Sequence, residues 1–225
     1  HPALLDYLAL RFSGEGWSVK ALLPKTILSR VYKLSPEERP DARRIDADNR
    51  LLWRAHRRRL DAQALRDTLW PLPDQLDRRA GGLTIHKISE YDNGYKHGKP
   101  LMRSVYVPTF RAAPLEFLSV FDAANPNLVT GRRSVSTVST QSLFLMNSPF
   151  VRAQAAAAAK RLLAEKLPSD TVRTRQAYRR TLGRNPTSLE REIIFEFLRQ
   201  ERDSQKAWTQ ILHGLYSSLD FRFLK

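Results

Sequence analysis

The sequence predicts a mainly α-helical protein, several helices in one domain, with a small β element around residues 84–107. Three observations predict that class. Apolar residues recur at helical spacing in segment after segment. Helix punctuation is frequent, as at Ser18, Ser148-Pro149, Gly183 and Thr187 with Glu190. Only residues 83–110 alternate in the manner of short strands, with Gly and Pro between them.

Each element follows from local signals. Leu4, Leu5, Leu8 and Phe12 predict a helix over 3–12, which the Ser-Gly-Glu-Gly run at 13–16 ends. Ser18 can cap a second helix to about Tyr32, where Pro24 implies a kink or a later start. Residues 34–50 are polar and hold two prolines, so they predict a long surface loop. A helix is expected over 57–70 with Leu60, Ala64, Leu65, Thr68 and Leu69 turned inward, and the segment 70–82 ends it.

Strands are expected at 84–87 and 104–107. A helix at 114–122, an irregular stretch at 123–136 and a helix near 141–146 come next. Ser148, a capping hydroxyl, precedes Pro149 at a first helical position, and the Ala-rich run at 153–164 extends that helix. Gly183 ends another helix, Thr187 and Glu190 form a capping box, and Trp208, Ile211, Leu212 and Leu215 share the inner face of the last. Residues 1–225 are read as one domain, with 155–225 a candidate C-terminal helical subdomain.

The charge is lopsided: 38 Lys and Arg against 23 Asp and Glu give +15. Nucleic acid, an anionic membrane surface and a sulfated or carboxylated polysaccharide all answer such a field. No apolar run approaches the roughly 18 to 20 residues of a membrane span. The absence of Cys excludes disulfides, thiolate metal sites and a haem-attachment motif within these residues. No serine-nucleophile motif, phosphate loop or dinucleotide fingerprint occurs, so no cofactor is expected within the chain.

Three clusters are candidates for a site. Arg132 and Arg133 follow Gly131 and precede a helix start at Thr140 and Gln141, where backbone N–H groups and the helix dipole favour an oxyanion. The alternative is that Ser139 or Thr140 caps its own helix and the arginines pair with Asp122 or solvent. Arg50, Arg54, Arg57, Arg58 and Arg59 surround Trp53 and suit a polyanion or a stacked sugar. Their alternative is a solvated helix face with Trp53 in the core, and Arg173, Arg175, Arg179, Arg180 and Arg184 form a second basic cluster open to the same reading. His86, Glu90, Asp92 and His97 match no metal spacing, so no metal site is expected; Glu90 and Asp92 are the better acid-base pair, and Tyr91 and Tyr95 could pack a small sheet. Gln141 and Asn147 are expected as buried amides that fix a helix junction.

Residues 103–155, "RSVYVPTFRAAPLEFLSVFDAANPNLVTGRRSVSTVSTQSLFLMNSPFVRAQA", resemble the core of the planctomycete-specific C-terminal domain of unknown function (family 1553) found in large exported proteins. "HPALLDYLALRF", "WSVKALLPKTILS", "DADNRLLWRAHRRRLDAQALRD", "AYRRTLGRNPTSLE" and "SSLDFRFLK" are similar to that family's other pieces, in order. The resemblance implies a further helical segment ahead of His1, so the domain is expected to be incomplete at its N-terminus. It also implies a linked planctomycete-specific domain, a linked cytochrome c-like domain as the one place for haem c, and an extracytoplasmic setting near sulfatases and polysaccharide-degrading enzymes. No catalytic residue comes with the resemblance, and Gln63 stands where it leads one to expect Glu. The leading expectation is an accessory or binding module contacting acidic or sulfated polysaccharide. The alternatives are a polysaccharide-active enzyme using Glu90 and Asp92, and non-specific nucleic-acid binding, for which no recognised motif accompanies the charge.

Overall fold

A computed structural model describes residues 1–69, 102–111 and 114–224. Their contacts divide them into two compact units, His1–Arg57 and Arg58–Leu224.

The first unit holds α1 (Pro2–Gly14), α2 (Val19–Ile27) and α3 (Pro40–Ile45). Pro2 opens α1, where its missing N–H costs nothing, and the Ser18 hydroxyl caps α2 by accepting from the Ala21 amide at 3.2 Å. Pro24 lies inside α2, which stops at Ile27 rather than near Tyr32, because a proline ring removes an internal hydrogen bond and weakens the turn around it. The loop expected over 34–50 contains α3, opened by Pro40 and matched to its dipole by Asp41 in the first turn and Arg43 and Arg44 in the last. Beyond α3 the chain turns on two polar side chains. Asp46 accepts from the amides of Arg50 and Leu51 at 2.9 and 2.7 Å, and buried Asn49, at φ +55°, brackets the backbone of Arg54.

The second unit begins with β1 (Arg58–Arg59), which pairs antiparallel with β2 (Phe223–Leu224), Arg58 opposite Leu224 and Arg59 opposite Phe223. That pairing delays the helix expected from residue 57. It begins as α4 (Ala62–Thr68) once the Asp61 carboxylate caps it at the Ala64 amide, 2.7 Å. The small β element therefore joins residues 58–59 to 223–224. The strand expected at 84–87 lies outside the described residues. The one expected at 104–107 is a 3-10 turn over Ser104–Tyr106, because Asp67 accepts from both the amide and the hydroxyl of Ser104, at 2.8 and 2.6 Å, and folds that backbone onto α4.

Helices α5 (Glu116–Val120), α6 (Ser139–Asn147), α7 (Pro149–Ala164), α8 (Asp170–Leu182), α9 (Ser188–Gln200) and α10 (Ser204–Ser217) complete the unit. Pro149 sits at the start of α7 as expected, although the Ser148 hydroxyl makes no cap bond. Gly183 takes φ +68° to end α8, and the Thr187–Glu190 capping box forms in full. The core is made where α10 lies along α7: Ala155, Ala158 and Ala159 keep the α7 surface low, so Trp208, Leu212 and Tyr216 of α10 bury completely or nearly so. At its other end, Phe117, Phe121, Phe144 and Phe150 pack edge-to-face or tilted, with centroids 4.9 to 6.1 Å apart. The mainly helical class is borne out. Among the described residues no helix is long and apolar enough to cross a membrane.

Candidate functional site

The chain between α5 and α6 is polar and irregular, and a carboxylate closes it at the base. Asp122, just past α5, adopts φ +63°. Its side chain accepts from the amide and hydroxyl of Ser136 at 2.9 and 2.8 Å, so residues 122 and 136 are tied together and 123–135 bulge out as a surface loop. Arg59, delivered by β1 with its side chain only 6% exposed, donates to the same carboxylate at 2.9 Å. Burial pushes the Asp122 carboxyl up, but the two Ser136 bonds and the Arg59 charge outweigh it and leave the group below the ordinary aspartate range.

Gln141 lies behind this clasp. It is fully buried and donates from Nε2 to the Val120 carbonyl at 3.1 Å and the Ser136 hydroxyl at 3.2 Å, while its Oε1 accepts from Arg222 at 3.3 Å. Arg222 also donates to the Ser142 hydroxyl at 3.1 Å; burial, and then the nearby Arg59 charge, lower its pKa. Of these two buried guanidiniums Arg59 holds the carboxylate and Arg222 the neutral oxygens of Gln141 and Ser142, and among the described residues Nε and Nη2 of Arg59 and Nε of Arg222 have no hydrogen-bond partner.

In front of the clasp is an open cleft of about 590 Å³. Gln63 of α4, Thr109, Asn125 and Asn127 supply polar groups, Pro108, Pro114 and Leu118 supply apolar ones, and Arg133 reaches in from the loop. The Arg133 Nη1 donates to the Gln63 Oε1 at 2.7 Å. Among the described residues Arg133 has no carboxylate partner, so the cleft wall carries an uncompensated positive charge. A smaller hollow of about 70 Å³, lined by Arg59, Asp122 and Arg133 among others, adjoins the same side chain.

The four residues expected to hold an anion are therefore separated. Arg133 lines the cleft. Arg132 is exposed on the loop, and Thr140 is exposed in the first turn of α6. Gln141 faces the interior, so it serves as a buried junction amide and does not meet a ligand at the helix start. Asn147, expected beside it, is exposed instead. The alternative reading of this stretch holds in part: neither Ser139 nor Thr140 caps α6, whose N-cap is Val138, and Asp122 pairs with Arg59 rather than with Arg132 or Arg133, but Arg132 does stand exposed to solvent.

The basic patch around Trp53 is not a helix face. Arg50, Arg54 and Arg57 belong to the first unit and Arg58 to the second. Trp53 is half-buried, donates from Nε1 to the Asp46 carbonyl at 2.8 Å, and has the guanidiniums of Arg54 and Arg39 over its ring at 5.1 and 5.9 Å, where a stacked sugar would have to compete. The second basic cluster is largely paired internally: Arg173 with Asp170, Arg180 with Glu165, and Arg184 with both Glu190 and Asp220. Glu90, Asp92, His86 and His97, with Tyr91 and Tyr95, lie outside the described residues. Among the described residues no cluster of His, Asp or Glu could hold a metal ion.

Fold and site together define a helical module with a mixed polar and apolar cleft and, among the described residues, one exposed cation in its wall. A family model described as protein of unknown function (DUF1553) matches residues 1–198, and the chain belongs to that family. The match takes in every described cleft residue and ends inside α9, ahead of α10 and Arg222. No curated protein and no solved structure matches the chain.

Proposed function

We propose that this domain is an accessory binding module of a larger exported protein and that its cleft beside Arg133 holds an acidic or sulfated polysaccharide. The observation that carries the reading is the cleft. About 590 Å³ is of the size that small-ligand sites occupy, and amides and hydroxyls interleaved with proline and leucine suit the alternating polar edges and apolar faces of sugar rings. Arg133 adds a guanidinium with no carboxylate to neutralise it among the described residues, in a chain of net charge +15. Family resemblance supports placing the module outside the cytoplasm, beside a linked planctomycete-specific domain and a cytochrome c-like domain that would carry haem c.

A salt series separates a built site from a field. Binding of a sulfated polysaccharide, a charge-matched DNA duplex and a neutral glycan is measured with the wild type and with Arg133→Ala. The duplex gives the electrostatic reference, with a slope of about −0.9 per phosphate neutralised. The sulfated glycan is expected to keep affinity at salt that releases the duplex, and Arg133→Ala to lose that excess. Equal decline of both polymers, unchanged in the variant, would reduce the positive charge to non-specific attraction.

A further inference from the structure

We propose that Arg133 reads an oxyanion substituent of the bound glycan bidentately, through its Nε–Nη2 edge, and that Gln63 is the residue that sets this specificity; the proposal rests on the glycan-binding reading above. A guanidinium offers a side-on edge, Nε with Nη2, whose two N–H bonds run parallel and match two oxygens of a carboxylate or a sulfate ester. In this protein Nη1 is engaged by the Gln63 Oε1 at 2.7 Å, which anchors that end of the group. Among the described residues Nε and Nη2 make no hydrogen bond, and Arg133 is exposed at the cleft wall. The side-on edge is thus the one left for a ligand.

The chemistry of the partner at residue 63 decides what that edge can do. An amide oxygen orients the guanidinium and leaves its charge intact, whereas a carboxylate at the same place would orient it equally well and cancel the charge that an anion needs. The base of the loop supports the same geometry, since Asp122 ties residue 136 to residue 122 and so limits where Arg133 can swing. Arg59 does not substitute for it: the Nη1 of Arg59 is committed to Asp122, and its Nε and Nη2 are sealed from solvent.

The test is calorimetric titration, at constant ionic strength, of sulfated, carboxylated and unsubstituted oligosaccharides built on one backbone. The proteins compared are wild type, Arg133→Lys, Gln63→Glu and the distant surface control Arg175→Ala. Wild type and control are expected to prefer a charged oligosaccharide over the neutral one by about tenfold or more, the scale of a charge-assisted hydrogen-bond pair. Arg133→Lys keeps the charge and loses the fork, so its preference is expected to fall to within about twofold; Gln63→Glu is expected to do the same by neutralisation. The sulfated and carboxylated arms identify which oxyanion is read. Full preference in Arg133→Lys overturns the bidentate contact while leaving the binding module standing, full preference in Gln63→Glu overturns the role of Gln63, and no preference in the wild type removes the glycan reading together with the fork.

Discussion

Asp122 is the residue on which the site depends most. Its carboxylate faces a guanidinium that is almost wholly buried, and it also closes the loop carrying Arg133. Asp122→Asn leaves Arg59 buried without its counter-charge, and breaking a buried pair from one side is expected to destabilise the fold by about 3 to 5 kcal/mol, read as a lower urea midpoint. The same variant loosens the loop, so trypsin is expected to cut after Arg132 or Arg133 faster than in the wild type under native conditions. Glu190 offers a cleaner pH signal. Hydrogen bonding from Arg184 comes first among the causes that hold its carboxyl at about 2, against an ordinary 4.5, with the Thr187 capping bonds adding to it and burial opposing. A folded-state pKa below the unfolded one contributes stability that is complete above about pH 4.5 and lost as the pH falls toward about 2. Melting midpoints across that window are expected to fall less steeply for Glu190→Gln than for the wild type. Equal slopes would remove Glu190 from the acid response.

Among the elements, α10 supplies Trp208 and Tyr216, the two largest fully buried side chains among the described residues. Trp208 is 1% exposed against the alanine stripe of α7 and has the Arg173 guanidinium 5.9 Å from its ring. Trp208→Ala opens a cavity that the low alanine surface cannot fill, and a loss of about 3 to 5 kcal/mol in equilibrium unfolding is expected. Helix ends were the most legible feature of the sequence. Ser18, Pro149, Gly183 and the Thr187–Glu190 box act within a turn of their own position, and the structure places each of them at a helix boundary. Two of the misreadings have a partner remote in sequence as their cause. The helix expected from residue 57 starts late because β1 pairs with β2, and the strand expected at 104–107 is a 3-10 turn because Asp67 binds Ser104 from 37 residues away.

Across the whole molecule the two units differ in how their helices are held. In the first, α1, α2 and α3 bury no residue, and Leu5, Leu10 and Trp17 are each about 70% exposed, at 69%, 75% and 70%. In the second, one continuous core runs from α4 to the 3-10 turn Asp220–Arg222. Amide hydrogen exchange is expected to be slowest in α7 and α10 and fastest in α1–α3, because short helices without tertiary burial open locally at little cost. Comparable protection in α1–α3 and α10 would contradict that order.

By itself the sequence determined the helical class, most helix termini, the strong positive charge and the family resemblance, because propensity, capping and composition are properties of neighbouring residues or of the whole list. It pointed to Arg133 and to Gln63 for separate reasons and had no means of joining them. Tertiary structure alone decided the cleft, since Arg133 and Gln63 meet across 70 residues, Arg59 and Asp122 across 63, and Arg222 and Gln141 across 81. Those meetings follow from how α4, α5, α6 and the closing strand pack, and side chains brought together by packing leave no periodic mark along the chain.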